Sequence, residues 1–398
     1  MNSSINTKIA LFTDAPPLRD GGFGNSAVSF SFAERLAERV VIVLTRRHRW
    51  ANSPSAIARN LRCDVLVYKD ASWVRGLALV APIARSFLDG ILFIFQMGGI
   101  LGKLKLTKPK RILAICGNDP VFLVQAWILQ RFSGIPVDMY LVDDIESSAR
   151  MEGCPRRAFI YTAMERLLIN RFNRLFLISP GYVEHLGKKY NSTATWLPVP
   201  IRFDTLKHRP TQSQSTRRVI VFSGSLNRLY IDALRDLCDV LSDLNRNNET
   251  TWRLLLLGRS TRSHAIDVLG NYEFIECESQ LDNHGLINRL GECTTCFLPY
   301  SHSDDVNIQT MVRTAFSCKI SEYYASGRPI LAYGPPYATN IRYFQQNNIP
   351  QIATTKIELR AALQLVDKND NKETIFKYQN IVDKFHSSAA LIRTLEKT

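Results

Sequence analysis

What this chain lacks narrows it first. Cys293 and Cys296 form its one C-x-x-C, with no second pair and no histidine beside them, so zinc ligation is not expected and CTTCFLPY reads as a buried strand. The eight cysteines fall at irregular positions, and Met1-Asn2-Ser3-Ser4 does not open a secretory signal; reduced thiols in a cytoplasmic protein are the expectation. Acids are scarce beside bases, 36 against 50, for a formal charge of +14 that favours phosphorylated ligands, an anionic membrane surface or nucleic acid. The bases are scattered, not gathered into a tail, and no aromatic-basic repeat of the RNA-binding kind is present, so no nucleic-acid partner is expected. Nor does any uncharged run look long enough to span a bilayer; in the apolar stretch 76–102 the longest covers 90–102.

What is present is an α/β alternation. At 398 residues and 45% apolar content the chain can bury two cores, so two domains are the default. Residues 8–13 (KIALFT) read as a buried strand, followed by a proline- and glycine-rich loop, a helix over 26–39 and a second strand over 40–44, the opening of a doubly wound domain. The loop holds Gly22-Phe23-Gly24-Asn25-Ser26-Ala27, formally the G-x-G-x-x-A dinucleotide fingerprint. Eight residues separate it from its strand, and the second strand ends in Thr45-Arg46-Arg47 with no ribose-binding acid. An NADP-dependent oxidoreductase could use those arginines and stands as the alternative. Further strands are expected over 63–68, 111–116, 136–142, 175–179, 196–201, 218–222, 253–258, 272–276 and 295–300, with helices over 150–172, 358–366 and 371–397 and a loop over 301–314.

Two stretches of the first half carry chemistry. Residues 76–102 are strongly apolar, interrupted by Arg85 and Asp89, and run into Lys103, Lys105, Lys108 and Lys110. Apolar surface beside a basic cluster suits a helix lying on an anionic membrane; a pair of core helices is the competing reading. Asp143 and Asp144 close a strand at its carboxyl end, where Asp144 could orient a hydroxyl or take its proton, or simply cap the next helix.

The most informative stretch is FSCKISEYYASGRPILAYGPP, residues 316–336. Its pattern predicts a helix over 319–325 with Ser317 as its cap, a stop at Gly327 and a short strand after Arg328-Pro329. A helix N-terminus carrying Lys319, with Glu322 one turn on, makes a site for an anion with a polyol attached: amides and ammonium for phosphate, carboxylate for two ribose hydroxyls.

SCKISEY followed by ASGRPIL resembles the nucleotide-sugar site of GT-B glycosyltransferases, in particular the retaining family-four group. The resemblance implies two Rossmann-like doubly wound domains facing a cleft: an acceptor-side domain over 1–201, a linker over 202–217, a nucleotide-sugar domain over 218–375, and a last helix over 376–398 crossing back to the first. It implies that Glu322 holds the donor ribose, that Gly224, Ser317, Gly22 and Gly24 lie against the donor, and that Lys319 and Arg228 stabilise the leaving diphosphate while Asp144 serves the acceptor. Where the family places a sugar-binding glutamate this chain has Thr314, and Asp304, Asp305 and Asn307 are the substitutes at hand. The implied activity is hexosyl transfer from a nucleotide-diphosphate sugar to a hydroxyl, with no metal or cofactor required, in bacterial surface polysaccharide or glycolipid synthesis. A lipid-linked acceptor would place the enzyme at the inner membrane face. A nucleotide-sugar epimerase and a non-catalytic GT-B-like membrane or nucleic-acid binder remain open beside the oxidoreductase.

Overall fold

The computed structural model describes residues 7–18, 24–46, 61, 63–69, 82–117, 119–201, 218–246, 251–258, 261–279, 281–366 and 371–396. Gly21, Gly22, Arg47, residues 76–81 and the expected linker over 202–217 lie outside them. The chain divides into two compact units, 1–200 with 391–398, and 201–390.

The first unit is built on a parallel sheet whose described strands are β1 (Ile9–Thr13), β2 (Val40–Arg46), β3 (Asp64–Tyr68), β4 (Arg111–Cys116), β5 (Val137–Leu141), β6 (Arg174–Leu177) and β7 (Thr195–Trp196), in the order β3-β2-β1-β4-β5-β6-β7. Parallel neighbours need crossovers, and the crossover helices cover both faces, which is why β1 and β5 are buried at every residue. Phe12 on β1 meets Phe122, Phe93 and Tyr68, with ring centroids 4.4, 5.7 and 5.8 Å away. Helix Pro82–Thr107 presents Asp89, Phe93, Met97, Ile100 and Leu104 inward at helical spacing. Its other face leaves Ile94, Phe95 and Leu106 exposed, Phe95 to 82%, with Lys103 and Lys105 beside them. Within Leu88–Thr107 an 18-residue window has a mean hydropathy of 1.3, and only 22% of that window is buried. By length and composition this helix could cross a membrane, which the uncharged run alone did not show.

The second unit repeats the plan with β8 (Arg218–Ser223), β9 (Trp252–Leu257), β10 (Ile275–Glu278), β11 (Thr295–Pro299), β12 (Ile330–Tyr333) and β13 (Ile352–Ala353), all parallel, in the order β10-β9-β8-β11-β12-β13. Helix Ile231–Arg246 packs on it through Leu234, Leu237, Cys238, Leu241 and Leu244, each 1% exposed or less. In both sheets the order reverses beside the first strand, between β1 and β4 and between β8 and β11. Ligands of such sheets bind outside the carboxyl ends at that reversal.

The structure corrects three expected helical or loop stretches, adds one helix, and shortens the strand expected over 196–201 to β7. The helix expected over 150–172 is broken: Ile145–Met151 ends at Glu152, and Pro155 starts a new helix to Leu168 because its fixed φ and missing N–H suit a first turn. Residues 306–314 are helix Val306–Thr314, not loop, capped by Asp305 and buried through Ile308, Met311 and Val312. Helix Thr339–Gln346, unread in the sequence, buries Ile341 and Phe344. The expected final helix is three pieces: Asn371–Ile381, a π turn over Val382–His386, and Ser388–Glu396 after extended Ser387.

Candidate functional site

At the reversal of the second sheet, β8 runs out through Ser223 into Gly224, whose φ of +134° suits glycine alone. The Gly224 amide donates to Leu257 O at 2.8 Å, and the Ser223 amide to the Tyr323 hydroxyl at 3.0 Å. Tyr323 in turn donates to Phe297 O at 3.1 Å, so one buried phenol ties helix Lys319–Ser326 to β8 and β11. That tie lays the Lys319 side chain across Gly224. A Cβ on Gly224 would come 2.5 Å from Lys319 Cε and 3.0 Å from Nζ. Behind it stands Gly258, φ +150°, where a Cβ would meet Gly224 O at 2.8 Å.

The Lys319 ammonium lies 3.8 Å from the Tyr230 ring centroid and 4.4 Å from that of Phe222. Burial pushes its pKa down to about 7, while the Glu322 carboxylate one turn away pulls it up. The two ring faces also favour the charged form. Burial raises the Glu322 carboxyl, which takes a hydrogen bond from the Ser321 hydroxyl at 3.1 Å. Both groups therefore sit in a partly dry place, where a charged ligand gains more from them than in water.

Ser317 does not cap this helix. The N-cap is Cys318, with no side-chain cap bond, and buried Ser317 offers only its carbonyl, to the Ile320 amide at 3.3 Å. A tight turn has taken up the Ile320 and Ser321 amides, so Lys319 carries more of any phosphate contact than the sequence implied.

Arg228 follows Gly224 on the same loop, its side chain 56% exposed and paired with Asp305 at 3.1 Å. Asp305 is itself fixed, accepting from the Asn307 and Ile308 amides, which hold its carboxyl below the usual range. Thr314 is fully buried and donates to Thr310 O at 2.9 Å. Asp232, not singled out in the sequence, accepts from Ser301 Oγ and the His302 amide, both at 2.8 Å, and so shapes the loop after β11.

In the first unit, Gly24 opens helix Gly24–Arg35. Arg46, one of the two arginines an NADP phosphate could use, is held by Asp119 and by buried Asp89 at 3.3 Å. Asp144 is 1% exposed and caps helix Ile145–Met151 through the Ser147 amide at 2.8 Å. His185 and Lys189, at 3.6 and 4.0 Å, help to hold its carboxyl down to about 2 against the burial penalty. Such an acid is a fixed anion, not a proton acceptor. Its neighbour Asp143 is half-buried, and burial together with the Asp144 charge raises it to about 6, a value suited to proton exchange near neutrality. Of the two adjacent acids, Asp144 caps the helix, as the sequence also allowed, and Asp143 carries the raised carboxyl. Among the described residues no group of three or more His, Cys, Asp or Glu is placed to hold a metal ion.

No family model matches the chain, and no curated protein does. Solved structures do. Alr3699/HepE of Anabaena, determined with UDP and with UDP-glucose, has a TM-score of 0.63 at 13% identity, over 98% of this chain and 98–100% of its own. The N-terminal domain of Candida albicans trehalose-6-phosphate phosphatase scores 0.66 at 11% identity, over 99% and 97%. A UDP-forming α,α-trehalose-phosphate synthase of Burkholderia xenovorans scores 0.63 at 10%, over 98% and 99%. At such identities the likeness establishes architecture, and that architecture, two Rossmann-like domains on parallel sheets of reversing order, is the GT-B fold.

Proposed function

We propose that the protein transfers a sugar, a hexose in kind, from a nucleoside-diphosphate sugar to a hydroxyl acceptor. The observation that carries this is the Lys319 ammonium held over Gly224 at the reversal point of the second sheet, with Glu322 one turn behind it. A cation above a backbone stripped of its Cβ lets a diphosphate approach both, and a carboxylate at that spacing reaches the ribose. That similar folds have been solved with UDP and UDP-glucose makes a uridine donor the first to try. Lys319, aided by Arg228, neutralises the charge that grows as the glycosidic bond breaks. In the retaining course that the family-four resemblance implies, the leaving phosphate receives the acceptor proton.

Calorimetry tests the donor. UDP binds and NADPH does not; Glu322→Ala weakens UDP binding by about 1.5–3 kcal/mol, the worth of hydrogen bonds to a charged acceptor, with the circular dichroism spectrum unchanged. NADPH binding in place of UDP, or an unaltered affinity in the variant, would sink this assignment.

The acceptor, in the same proposal, is lipid-linked, and the enzyme works at the inner face of a bacterial membrane in surface polysaccharide or glycolipid synthesis. Support comes from helix Pro82–Thr107, whose outer face shows Ile94, Phe95 and Leu106 beside Lys103 and Lys105, with Lys108 and Lys110 following. Each lysine near an anionic surface contributes about 1 kcal/mol and is screened by salt. The protein is expected to float with phosphatidylglycerol-containing liposomes at low salt. Changing the four lysines to Gln should release it while leaving UDP affinity intact. A parent protein that ignores such liposomes refutes the membrane role.

A further inference from the structure

At the amino ends of the first unit's strands, the edge away from the loops described above, lies a cavity of about 330 Å³. Small-molecule sites run from about 300 to 1,000 Å³. Three guanidinium groups open onto it, from Arg39, Arg111 and Arg174, with side chains only 12%, 31% and 12% exposed. Two carboxylates answer them. Asp138, 2% exposed, accepts from Arg174 at 2.5 and 3.0 Å and from Asn173 at 2.7 Å, which leaves Arg111 a long contact of 3.4 Å. Glu396 takes Arg39 at 2.5 Å, and Arg174 also donates to Leu395 O at 2.8 Å.

Among the described residues of the lining, three cations face two anions, an excess of positive charge in a partly dry space that favours an anionic ligand. Exposed Lys8 and Lys110, adjacent in sequence to lining residues, add to the same sign. Arg111 is the most exposed of the three and the least engaged, and its planar fork matches two carboxylate oxygens. The rest of the lining is hydrocarbon: Leu113 from the sheet, Ile392 and Leu395 from the returning end of the chain. We propose that this cavity binds a small organic monoanion, its carboxylate on Arg111 and its short hydrocarbon body against Leu113, Ile392 and Leu395. Bound there, it would join sheet and C-terminal segment, both within the first unit.

The test follows ¹³C-methyl resonances of Leu113, Ile392 and Leu395 in the full chain titrated with hexanoate and, separately, acetate. Hexanoate is expected to shift them saturably, acetate to bind about tenfold or more weakly because it lacks the body. Arg111→Gln should weaken hexanoate about tenfold or more, and Glu396→Gln should strengthen it by removing the competing anion at Arg39. Shifts that never saturate, equal affinity in Arg111→Gln, or weaker binding in Glu396→Gln would each overturn the proposal. If Arg111→Gln does not fold, the sign of the Glu396→Gln change decides. Equal affinities for acetate and hexanoate would overturn the hydrocarbon contact. None of these readouts depends on the nucleotide site.

Discussion

Lys319→Ala is expected to lower kcat by about 10²–10³-fold, with a smaller change in KM, because an ammonium beside the departing diphosphate matters most when charge has moved onto it. The same residue sets a pH dependence. With its pKa held at about 7 in the empty site, the ammonium form predominates below that value and is lost as pH rises through it. The kcat/KM of the parent should therefore fall above pH 7, since that ratio reports the free enzyme, and the descending limb should vanish from the alanine variant. In kcat the limb should lie at higher pH, because bound diphosphate favours the ammonium. A parent profile flat from pH 6 to 9, or equal turnover in the two proteins, would remove Lys319 from the chemistry.

Gly224→Ala should be the more damaging of the two for binding. A methyl there meets Lys319 Cε at 2.5 Å and has to be carried at a φ of +134°, so the strain is about 1–3 kcal/mol before any ligand arrives. Relief comes most cheaply by swinging the lysine off the loop, which removes the cation and covers the backbone it stood over. UDP affinity is expected to drop about a hundredfold, with the melting temperature lowered by only a few degrees. Arg228→Ala, breaking a pair whose arginine is more than half exposed, should cost no more than about 1 kcal/mol. If Gly224→Ala binds UDP as the parent does, the diphosphate lies elsewhere.

The sheets were legible because parallel strands covered on both faces are short, unbroken apolar runs: KIALFT, RILAIC and RLLLLG need no pattern beyond that. Helices short on periodic signal were not. Residues 301–314 begin with a polar stretch, and the cap that starts the helix, Asp305, is one of two adjacent aspartates that looked like loop. The break at Gly153-Cys154-Pro155 was visible as a stop followed by a start, yet lost inside a long basic stretch. At the site, Lys319 is legible from its helix start and Gly224 through a resemblance, and the two do meet, whereas the cap expected of Ser317 falls to Cys318. Which of two neighbouring acids stays a fixed anion depends on His185 and Lys189, some forty residues away and brought in by a helix after another strand. Spacing along the chain carries no trace of that. Gly258 was noticed only as a strand's end; its contact with Gly224 is a fact of two loops lying back to back.

That contact has a consequence for descent. Gly258, Gly224 and Lys319 are stacked so that a side chain at either glycine displaces the next member of the pile. Neither glycine can drift alone while the lysine is under selection, and once selection lapses both are released together. Copies of this gene that have kept the architecture but no longer need the cation should therefore show it here first, as paired loss of two glycines far apart in sequence, before the sheets beneath them change at all.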